Sequence, residues 1–390
     1  MFPDLSGKRI LVTGGSGFIG GRLVELLAAE CRATVRVLTR NYARTFRIAR
    51  YPIEFVGGEV TSQESVARAT EGCHLVVHCA YGNSGTDDAR RAVNVAGTRN
   101  VLEAAVQQRV QRVVHVSTVQ VYGRLGSADL DETAPRRYFG DGYSDSKLEA
   151  ENLVGEYFRS RGLPTVVVQP TVVYGPYATT WTANIINKLK SGRQILVNGG
   201  DGFCNAVYID DIAMAILLAM VGDRAVGESF LVSGATPVPW REFFGHYERM
   251  LGQRATVEMS AADAVRVGRK IGVARTLADT LRRDPRFRQR LSETSAVAAM
   301  RTVAGRLPAR VRRSLKTALG VGAQPSPPTA GENKPIFPLS YPLDVEFYST
   351  KTRVRIDKAQ QLLGYRPRFD LDAGMRRTEQ WARWANLLEA

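Results

Sequence analysis

Thr13-Gly-Gly-Ser-Gly-Phe-Ile-Gly, at residues 13–20, decides the fold of this chain. It directly follows the β-branched run Arg9–Thr13 and opens a helical pattern that ends at Ala29. Glycines spaced three residues apart permit a tight turn, close approach of a phosphate to the backbone, and close packing of helix on strand. The N-terminus of the helix offers unpaired N–H groups and a partial positive charge to an anion. Because the glycines stand between a strand and a helix, the stretch predicts a site for the pyrophosphate of a dinucleotide.

Strand-like and helix-like segments alternate along the first part of the chain. The predicted strands are almost continuously apolar: Arg9–Thr13, Thr34–Thr39, Ile53–Val56, Leu75–Cys79, Arg112–Ser117 and Thr165–Gln169. Helical patterns lie between them at Gly20–Ala29, Asn94–Gln107 and Ser144–Arg159. Apolar strands that alternate with helices indicate a parallel sheet covered on both faces. The predicted fold class is therefore α/β, with a Rossmann-like doubly wound parallel sheet.

The regular alternation weakens after Pro170, and this change sets the domain prediction. Residues 1–180 are expected to form a dinucleotide-binding domain, to which residues 204–232 return. Residues 181–203 and 233–390 are expected to form a smaller C-terminal substrate lobe. Within that lobe, residues 261–335 are predicted to be a basic helical insertion followed by a Pro/Gly-rich linker.

Most of the net charge belongs to that insertion. Between Ala261 and Gly320, fifteen basic and four acidic residues give +11 of the chain's net charge of +15. This concentration argues against nucleic acid as a partner of the whole chain. The four cysteines include no Cys-x-x-Cys pair, which predicts reduced thiols and no metal site. The sequence lacks a signal-peptide pattern and a long apolar run, so the expected location is cytoplasmic.

The end of the second predicted strand bears on the choice of cofactor. An acid at this point usually binds the ribose 2′-hydroxyl of NAD. This chain has Thr39-Arg40-Asn41 instead, and an arginine pairs with a 2′-phosphate. NADP is therefore the preferred cofactor, with NAD as the alternative. The turn Gly58-Glu59-Val60 after the third strand is placed to meet the adenine.

Tyr143 and Lys147 are the predicted acid–base pair. Of the fourteen tyrosines, only Tyr143 has a lysine four residues later, and positions i and i+4 share a helix face. A phenol with a pKa of ~10 is a poor base at neutral pH. A nearby ammonium stabilises the phenolate and lowers its pKa. The pair therefore predicts proton exchange with a substrate, coupled to hydride transfer by a nicotinamide.

Thr118 is predicted to lie beside Tyr143. It stands at the end of the fifth strand, in Val116-Ser-Thr-Val-Gln-Val-Tyr-Gly. Ligands of doubly wound sheets bind at the carboxyl ends of the strands, so this hydroxyl can orient the reacting oxygen of a substrate. The predicted catalytic residues are Thr118, Tyr143 and Lys147, and the predicted substrate contacts are Thr118, Gln120 and Tyr143.

These motifs together resemble the extended short-chain dehydrogenase/reductases, the NAD-dependent epimerase/dehydratase superfamily. Further matching pieces are His78-Cys-Ala, Asn94-Val-Ala-Gly-Thr-Arg-Asn-Val-Leu-Glu-Ala-Ala, Gln169-Pro-Thr-Val-Val-Tyr-Gly-Pro and Tyr208-Ile-Asp-Asp. The resemblance implies an NAD(P)-dependent enzyme acting on a small-molecule secondary alcohol or ketone, and a homodimer. Together with the residues above, it implies a cofactor site made of Gly14, Gly17, Phe18, Ile19, Gly20, Arg40, Glu59, Val60, Cys79, Ala80, Tyr81, Asn94, Tyr143, Lys147, Pro170, Val172 and Val173.

Departures from the family pattern narrow the expected reaction. Dehydratases and decarboxylases of the superfamily place an acid just after the catalytic hydroxyl, where this chain has Val119 and Gln120. The resemblance therefore disfavours elimination and leaves oxidation, reduction or epimerisation. Nucleotide-sugar members carry an arginine before the segment similar to Tyr208-Ile-Asp-Asp, and Cys204 stands there in this chain.

Two C-terminal pieces, Pro239-Trp-Arg-Glu-Phe-Phe and Phe347-Tyr-Ser-Thr-Lys-Thr, resemble the 3β-hydroxysteroid dehydrogenase-like branch. That resemblance implies a hydrophobic or lipid-linked substrate. A nucleotide-sugar epimerase or ketoreductase stays open as the alternative. A non-catalytic cofactor-binding sensor is the alternative from another class.

The basic insertion suggests a partner of its own. Apolar residues recur at three- and four-residue intervals from Val297 to Leu319, with arginines between most of them. A basic amphipathic helix of this kind can rest on an anionic membrane surface. Residues 261–320 are therefore expected either to attach the protein peripherally to a membrane or to form a solvated helical lobe.

Overall fold

A seven-stranded parallel sheet forms the centre of the computed structural model, which describes residues 2–82, 86–123, 126, 128–268, 334–339 and 343–389. Its strands are β1 (Arg9–Thr13), β2 (Thr34–Thr39), β3 (Ile53–Gly57), β4 (Leu75–His78), β5 (Arg112–Val116), β6 (Thr165–Pro170) and β11 (Ser229–Val232). Their order across the sheet is β3-β2-β1-β4-β5-β6-β11. The direction of winding changes between β1 and β4, which leaves a crevice at the carboxyl ends of these strands.

Helices cover both faces of this sheet. Those on the sheet are α1 (Phe18–Ala29), α2 (Gln63–Thr70), α4 (Gly97–Gln107), α5 (Gly142–Arg161) and α7 (Ile209–Val221). The described residues also form α3 (Asp87–Arg91), α6 (Asn184–Ser191), α8 (Trp240–Leu251), α9 (Leu343–Ser349) and α10 (Leu371–Trp384). Residues 261–268 are also helical. Successive strand residues point to opposite faces, so Val12 and Val77 join the core with α1 and α7. Leu11 and Val76 join a second core with α2, α4 and α5.

The C-terminal part adds small sheets beyond the carboxyl end of the central one. The strands concerned are β7 (Val172–Tyr174) with β10 (Ala206–Tyr208), β9 (Phe203–Cys204) with β12 (Val238–Pro239), and β8 (Arg193–Val197) with β13 (Thr256–Met259) and β14 (Ile336–Phe337). Asp211 in α7 accepts the N–H groups of Arg368 and Phe369 at 2.9 and 3.2 Å. This buried carboxylate therefore ties the chain before α10 to the sheet domain.

The predicted doubly wound sheet is confirmed, and one strand lies elsewhere than expected. Ser229–Val232 joins the central sheet beside β6. The sequence also predicts that Val207–Ile209 joins this sheet, but the strand Ala206–Tyr208 pairs with Val172–Tyr174 instead. The reason is that Ser229–Val232 already occupies the edge of β6. The basic helical segment predicted within 261–335 lies outside the described residues, apart from 261–268 and 334–335.

Candidate active site

The first part of the site is the glycine turn between β1 and α1. Gly14 has a φ of +68°, and a Cβ at Gly14 would lie 2.7 Å from the backbone nitrogen of Ala80. A Cβ on Gly20 would collide with the carbonyl oxygen of Gly14. The N–H of Gly17 donates to the same carbonyl at 2.9 Å. Side chains at Gly14 or Gly20 would collide with backbone atoms. Glycine therefore lets the backbone turn tightly and leaves space beside it for a ligand.

The N-terminus of α1 is free to bind an anion at this turn. Gly17 is the N-cap, and no side-chain hydrogen bond from the described residues caps the helix. Gly17 is exposed, while Phe18 and Ile19 are half-buried. The first N–H groups of a helix need an acceptor and carry a partial positive charge. This cradle fits the pyrophosphate of a dinucleotide.

The end of β2 is basic. Arg40 is exposed there, and Asn41 caps the turn Tyr42–Arg44 by accepting the N–H of Ala43 at 2.8 Å. Beyond the neighbouring strand β3, Glu59 is exposed and Val60 is buried. The exposed arginine therefore stands where a carboxylate would otherwise face the cofactor ribose.

Asn94 links the loop after β4 to the helix that carries Tyr143. Its Oδ1 accepts the N–H of Gly82 at 2.7 Å, and its Nδ2 donates to Ser146 Oγ at 2.9 Å. Asn94 lies in a π-helical turn, Ala92–Ala96, before α4 begins. The sequence predicts a regular helix from Asn94, because the apolar spacing alone does not register the wider turn.

The remaining predicted cofactor contacts flank this crevice. Cys79 and Ala80 are half-buried at the end of β4, and Tyr81 is 50% exposed. Pro170, Val172 and Val173 are buried where β6 continues into β7. The sheet topology therefore gathers these positions near the carboxyl ends of β4 and β6.

Tyr143 and Thr118 meet at the carboxyl end of β5. Thr118 is buried, and its side chain lies close enough to the Tyr143 phenol to influence its pKa. The ring of Tyr81 packs edge-on against that of Tyr143, with the centroids 6.1 Å apart. Burial raises the pKa of Tyr143 above its ordinary value, the nearby Tyr81 acts in the same direction, and the side chain of Thr118 lowers it. The sequence predicts a lowered pKa for this phenol, whereas here burial outweighs the other influences.

Lys147 lies below Tyr143, directed toward the end of β5. Its Nζ donates to the carbonyl of Val116 at 2.7 Å and lies 3.5 Å from Nε2 of His115. Burial lowers the pKa of Lys147 to about 8, against the opposing effect of Glu151. Burial also lowers the pKa of His78 to about 3, so this neighbouring ring is neutral and adds no positive charge beside the ammonium.

Glu151 is a functional candidate that sequence reasoning missed. Its side chain is fully buried, with both oxygens 3.0 Å from Nε2 of Gln169 and one oxygen 3.2 Å from the guanidinium of Arg136. Burial raises the pKa of this carboxyl. Two sequence signals were available: Glu151 repeats the four-residue spacing after Lys147, and Gln169 interrupts an apolar strand.

The C-terminal lobe contains a cluster of aromatic rings beside a cavity. Trp240 is fully buried and contacts the rings of Trp181, Phe347 and Tyr348 at centroid distances of 5.7, 5.2 and 4.8 Å. The adjacent cavity has a volume of about 130 Å³, and its wall includes Trp181, Tyr348 and Phe244. This part of the lobe offers apolar contact area and few charges.

Cys204 is fully buried, and burial raises the pKa of its thiol well above the ordinary value. The position that carries an arginine in nucleotide-sugar enzymes is thus neutral and apolar here.

Among the residues that the structure describes, no helix is long and apolar enough to cross a bilayer. Within the same residues, no group of three or more histidine, cysteine or acidic side chains is arranged to hold a metal ion.

Comparison with known proteins gives consistent matches. The model of the NAD dependent epimerase/dehydratase family matches residues 10–232. A 4-hydroxy-2-methyl-3-oxo-4-farnesyl-3,4-dihydroquinoline-1-oxide ketoreductase from Stigmatella aurantiaca is 31% identical over 68% of this chain and 79% of its own length. A 3 beta-hydroxysteroid dehydrogenase/Delta 5-->4-isomerase from Mycobacterium tuberculosis is 30% identical over 66% of this chain and 73% of its own.

Solved structures agree on the fold. The dTDP-glucose 4,6-dehydratase DesIV from Streptomyces venezuelae, solved with NAD and TYD bound, superimposes with a TM-score of 0.68. The match covers 96% of this chain and 97% of that one at 23% identity. At this identity the likeness establishes the architecture alone.

Proposed function

Because the chain belongs to the NAD dependent epimerase/dehydratase family of oxidoreductases, we propose that it interconverts a ketone and a secondary alcohol. Tyr143 is the group that exchanges a proton with the substrate. The observation that carries the proposal is the packing of Tyr143 against Tyr81, whose neighbour Ala80 lies against Gly14 of the glycine turn. When bound, the dinucleotide supplies or accepts the hydride.

The residues of this chain bind the substrate oxygen, exchange the proton and bind the cofactor. Thr118 and Tyr143 hold the substrate oxygen, so that the oxygen gains or loses its proton at Tyr143 Oη. Lys147 places a positive charge near the phenol and would also bind the nicotinamide ribose. Gly14, Gly17 and Gly20 admit the pyrophosphate to the N-terminus of α1.

In its resting form the phenol is a proton donor, which is the role that ketone reduction needs. Burial raises the pKa of Tyr143, so its hydroxyl keeps its proton at neutral pH. The protonated phenol is the form that donates to a ketone oxygen as the hydride arrives. Val119 and Gln120 provide no acid for elimination, which supports simple reduction or epimerisation over dehydration.

We propose NADP as the preferred cofactor. The exposed Arg40 at the end of β2 can pair with a 2′-phosphate. Arg40→Glu should therefore weaken NADPH binding at least tenfold while changing NADH binding much less, as measured by cofactor fluorescence titration. Equal weakening for both cofactors would contradict the preference.

A hydrophobic or lipid-linked substrate is proposed for the C-terminal lobe. The cavity in this lobe has aromatic walls, which include Trp181, Phe244 and Tyr348, and these support an apolar group. The ketoreductase relative, named for a farnesylated quinoline, is of the same chemical character. A nucleotide sugar is the second candidate, supported by dTDP-glucose 4,6-dehydratase from Streptomyces niveus, which is 31% identical to this chain. The buried Cys204 speaks against that candidate, because a diphosphate needs cationic partners.

Further proposals concern assembly and location. We propose a homodimer, and peripheral attachment to an anionic membrane through residues 261–320, whose basic amphipathic pattern suits such a surface. Flotation with phosphatidylserine liposomes should fall when residues 261–320 are deleted. Equal, negligible flotation of both proteins would end the membrane proposal.

Replacement of Tyr143 by phenylalanine tests the activity. Tyr143→Phe should reduce ketone-dependent NADPH oxidation at least a hundredfold, because the ring stays and only the proton donor is lost. NADPH binding should stay within about threefold of the wild-type value. Tyr138→Phe is the matched control, since Tyr138 is exposed and its hydroxyl contacts only Asn152 among the residues described.

The sensor hypothesis makes the opposite prediction. A non-catalytic cofactor-binding protein would bind NADPH and show no turnover on any ketone or alcohol in the panel. In that case Tyr143→Phe would leave every measured property unchanged.

A further inference from the structure

Gln120 is the polar side chain next to the catalytic hydroxyl. Its N–H donates to Thr118 Oγ1 at 3.3 Å, which fixes its backbone beside the reacting centre. Its side chain is exposed, whereas the following residues, Val121 and Tyr122, are buried. A substrate held by Thr118 and Tyr143 therefore meets Gln120 as its neighbouring polar group.

The far end of this side chain is held by Ser144. The amide atom on this side is the oxygen, Oε1, which lies 3.0 Å from Ser144 Oγ. The same Oγ lies 2.6 Å from Oδ2 of Asp141, which also accepts the N–H of Ser144 at 2.8 Å as the N-cap of α5. Gln120, Ser144 and Asp141 thus form one short hydrogen-bonded chain at the mouth of the site.

The Ser144 hydroxyl has a single proton, and the position of that proton decides which group donates and which accepts in each hydrogen bond between Gln120, Ser144 and Asp141. A hydroxyl donates one hydrogen bond and accepts others. The carboxylate of Asp141 is both the closer acceptor and the charged one, and charge-assisted hydrogen bonds are the stronger kind. Ser144 therefore donates to Asp141 and must accept from Gln120. The amide oxygen and nitrogen have nearly the same shape, so the network assigns which of them faces Ser144.

We infer that Gln120 turns its NH₂ group to Ser144 and its amide oxygen to the substrate, and thereby selects ketones that carry a hydrogen-bond donor beside the reacting carbon. This inference rests on the proposed function and specifies its substrate. The donor is a hydroxyl, an enol or an N–H group on the substrate. A ketone without one leaves the amide oxygen without a partner once the substrate has displaced water.

The neutral amide of Gln120 also distinguishes this protein from enzymes that catalyse elimination. Glutamine has the shape of glutamate but has no acidic proton to release at neutral pH. A carboxylate at this position would stand opposite Asp141 with only Ser144 between them. Glutamine therefore offers an acceptor to the substrate without adding a second negative charge.

Neutron diffraction from a perdeuterated crystal tests the orientation directly. The expected map shows two deuterons on the Gln120 atom that faces Ser144, and the Ser144 deuteron directed to Asp141. A Ser144 deuteron directed to Gln120 would overturn the inference. This result does not depend on turnover.

Kinetics test the selectivity. The probes are 2-hydroxyacetophenone and acetophenone, each reduced by the full-length protein with NADPH. The ratio of their kcat/KM values should favour the hydroxyketone at least tenfold in the wild type. Gln120→Leu should lower that ratio at least tenfold, and Ser144→Ala should lower it as well, because the amide can then rotate.

Gln361→Leu is the control, since Gln361 is an exposed glutamine on the turn Ala359–Leu363, and it should keep the wild-type ratio. An unchanged ratio in Gln120→Leu would overturn the selectivity. If the wild type reduces neither probe nor any other ketone, the proposed function fails instead, and the neutron map still decides the orientation.

Discussion

At the scale of single residues, the site depends on a buried ammonium with few compensating contacts. Lys147 is 3% exposed and its Nζ donates to the carbonyl of Val116. Burial lowers its pKa to about 8, and the pKa of its neighbour His115 falls well below the ordinary value for the same reason. The charge is therefore held at a cost to stability, which is common for groups retained for chemistry.

The pH dependence of stability should reveal this cost. The unfolded chain keeps the Lys147 proton up to about pH 10.5, whereas the folded protein releases it near pH 8. Between these values the unfolded state binds more protons, so the contribution of Lys147 to stability rises with pH. We expect the wild type to gain about 2 kcal/mol relative to Lys147→Met between pH 7 and 9.5, from ~1.4 kcal/mol per pKa unit.

Urea unfolding of both proteins at the two pH values measures this gain. A constant difference between wild type and Lys147→Met would show that the ammonium is well solvated. Lys147→Arg, which keeps its charge throughout the range, serves as the control and should show no such gain relative to Lys147→Met.

At the scale of elements, the turn from β1 into α1 is the part that the sequence predicts best. Strand, glycines and helix are local, so their order and spacing fix the turn without knowledge of the rest of the chain. Tyr143 and Thr118 were also predictable, because parallel strands end at one edge of the sheet. Two features were not predictable, the wider turn at Asn94 and the pairing of Ala206–Tyr208, because both depend on which distant segments are neighbours.

The buried polar groups were the least predictable. Glu151 and Gln169 look like ordinary helix and strand residues until the fold brings them together and places Arg136 against Glu151. The raised pKa of Tyr143 has the same origin, because burial depends on the whole fold whereas the spacing of Tyr143 and Lys147 is local.

The glycine turn yields a test with a matched pair. Gly20→Ala should weaken NADPH binding at least tenfold, because the new Cβ collides with the Gly14 carbonyl and moves the phosphate cradle. Gly21→Ala places its Cβ 3.3 Å from the nearest backbone atom, so binding should stay within about threefold. Fluorescence titration of reduced cofactor measures both. Similar losses in the two variants would indicate a general helix effect instead.

At the scale of the whole molecule, buried polar contacts join the C-terminal segment to the sheet domain. Asp211 accepts two backbone N–H groups, from Arg368 and Phe369, and is fully buried. On the same helix, Asp210 receives two hydrogen bonds from Arg22 of α1 at 2.6 and 3.0 Å. The two carboxylates therefore join the segment before α10 and the helix α1 to the same helix, α7.

Loss of the Asp211 anchor should be costly. Asp211→Ala leaves two N–H groups without their acceptor and should reduce the free energy of unfolding by about 2–4 kcal/mol. Asp223→Ala is the comparison, because Asp223 is fully exposed and its ion pair with Arg112 should have a much smaller effect on stability. Urea denaturation gives both values. Equal effects would show that Asp211 is not an anchor.

We expect a dinucleotide bound at the glycine turn to place its reactive nicotinamide ring beside Tyr143. A crystal structure of the protein with NADP bound measures this directly, through the separation of the nicotinamide C4 and Tyr143 Oη. A ketone should fit between them with its carbon about 3–3.5 Å from C4 and its oxygen on Oη. A nicotinamide bound away from Tyr143, or a pyrophosphate bound away from the N-terminus of α1, would contradict it.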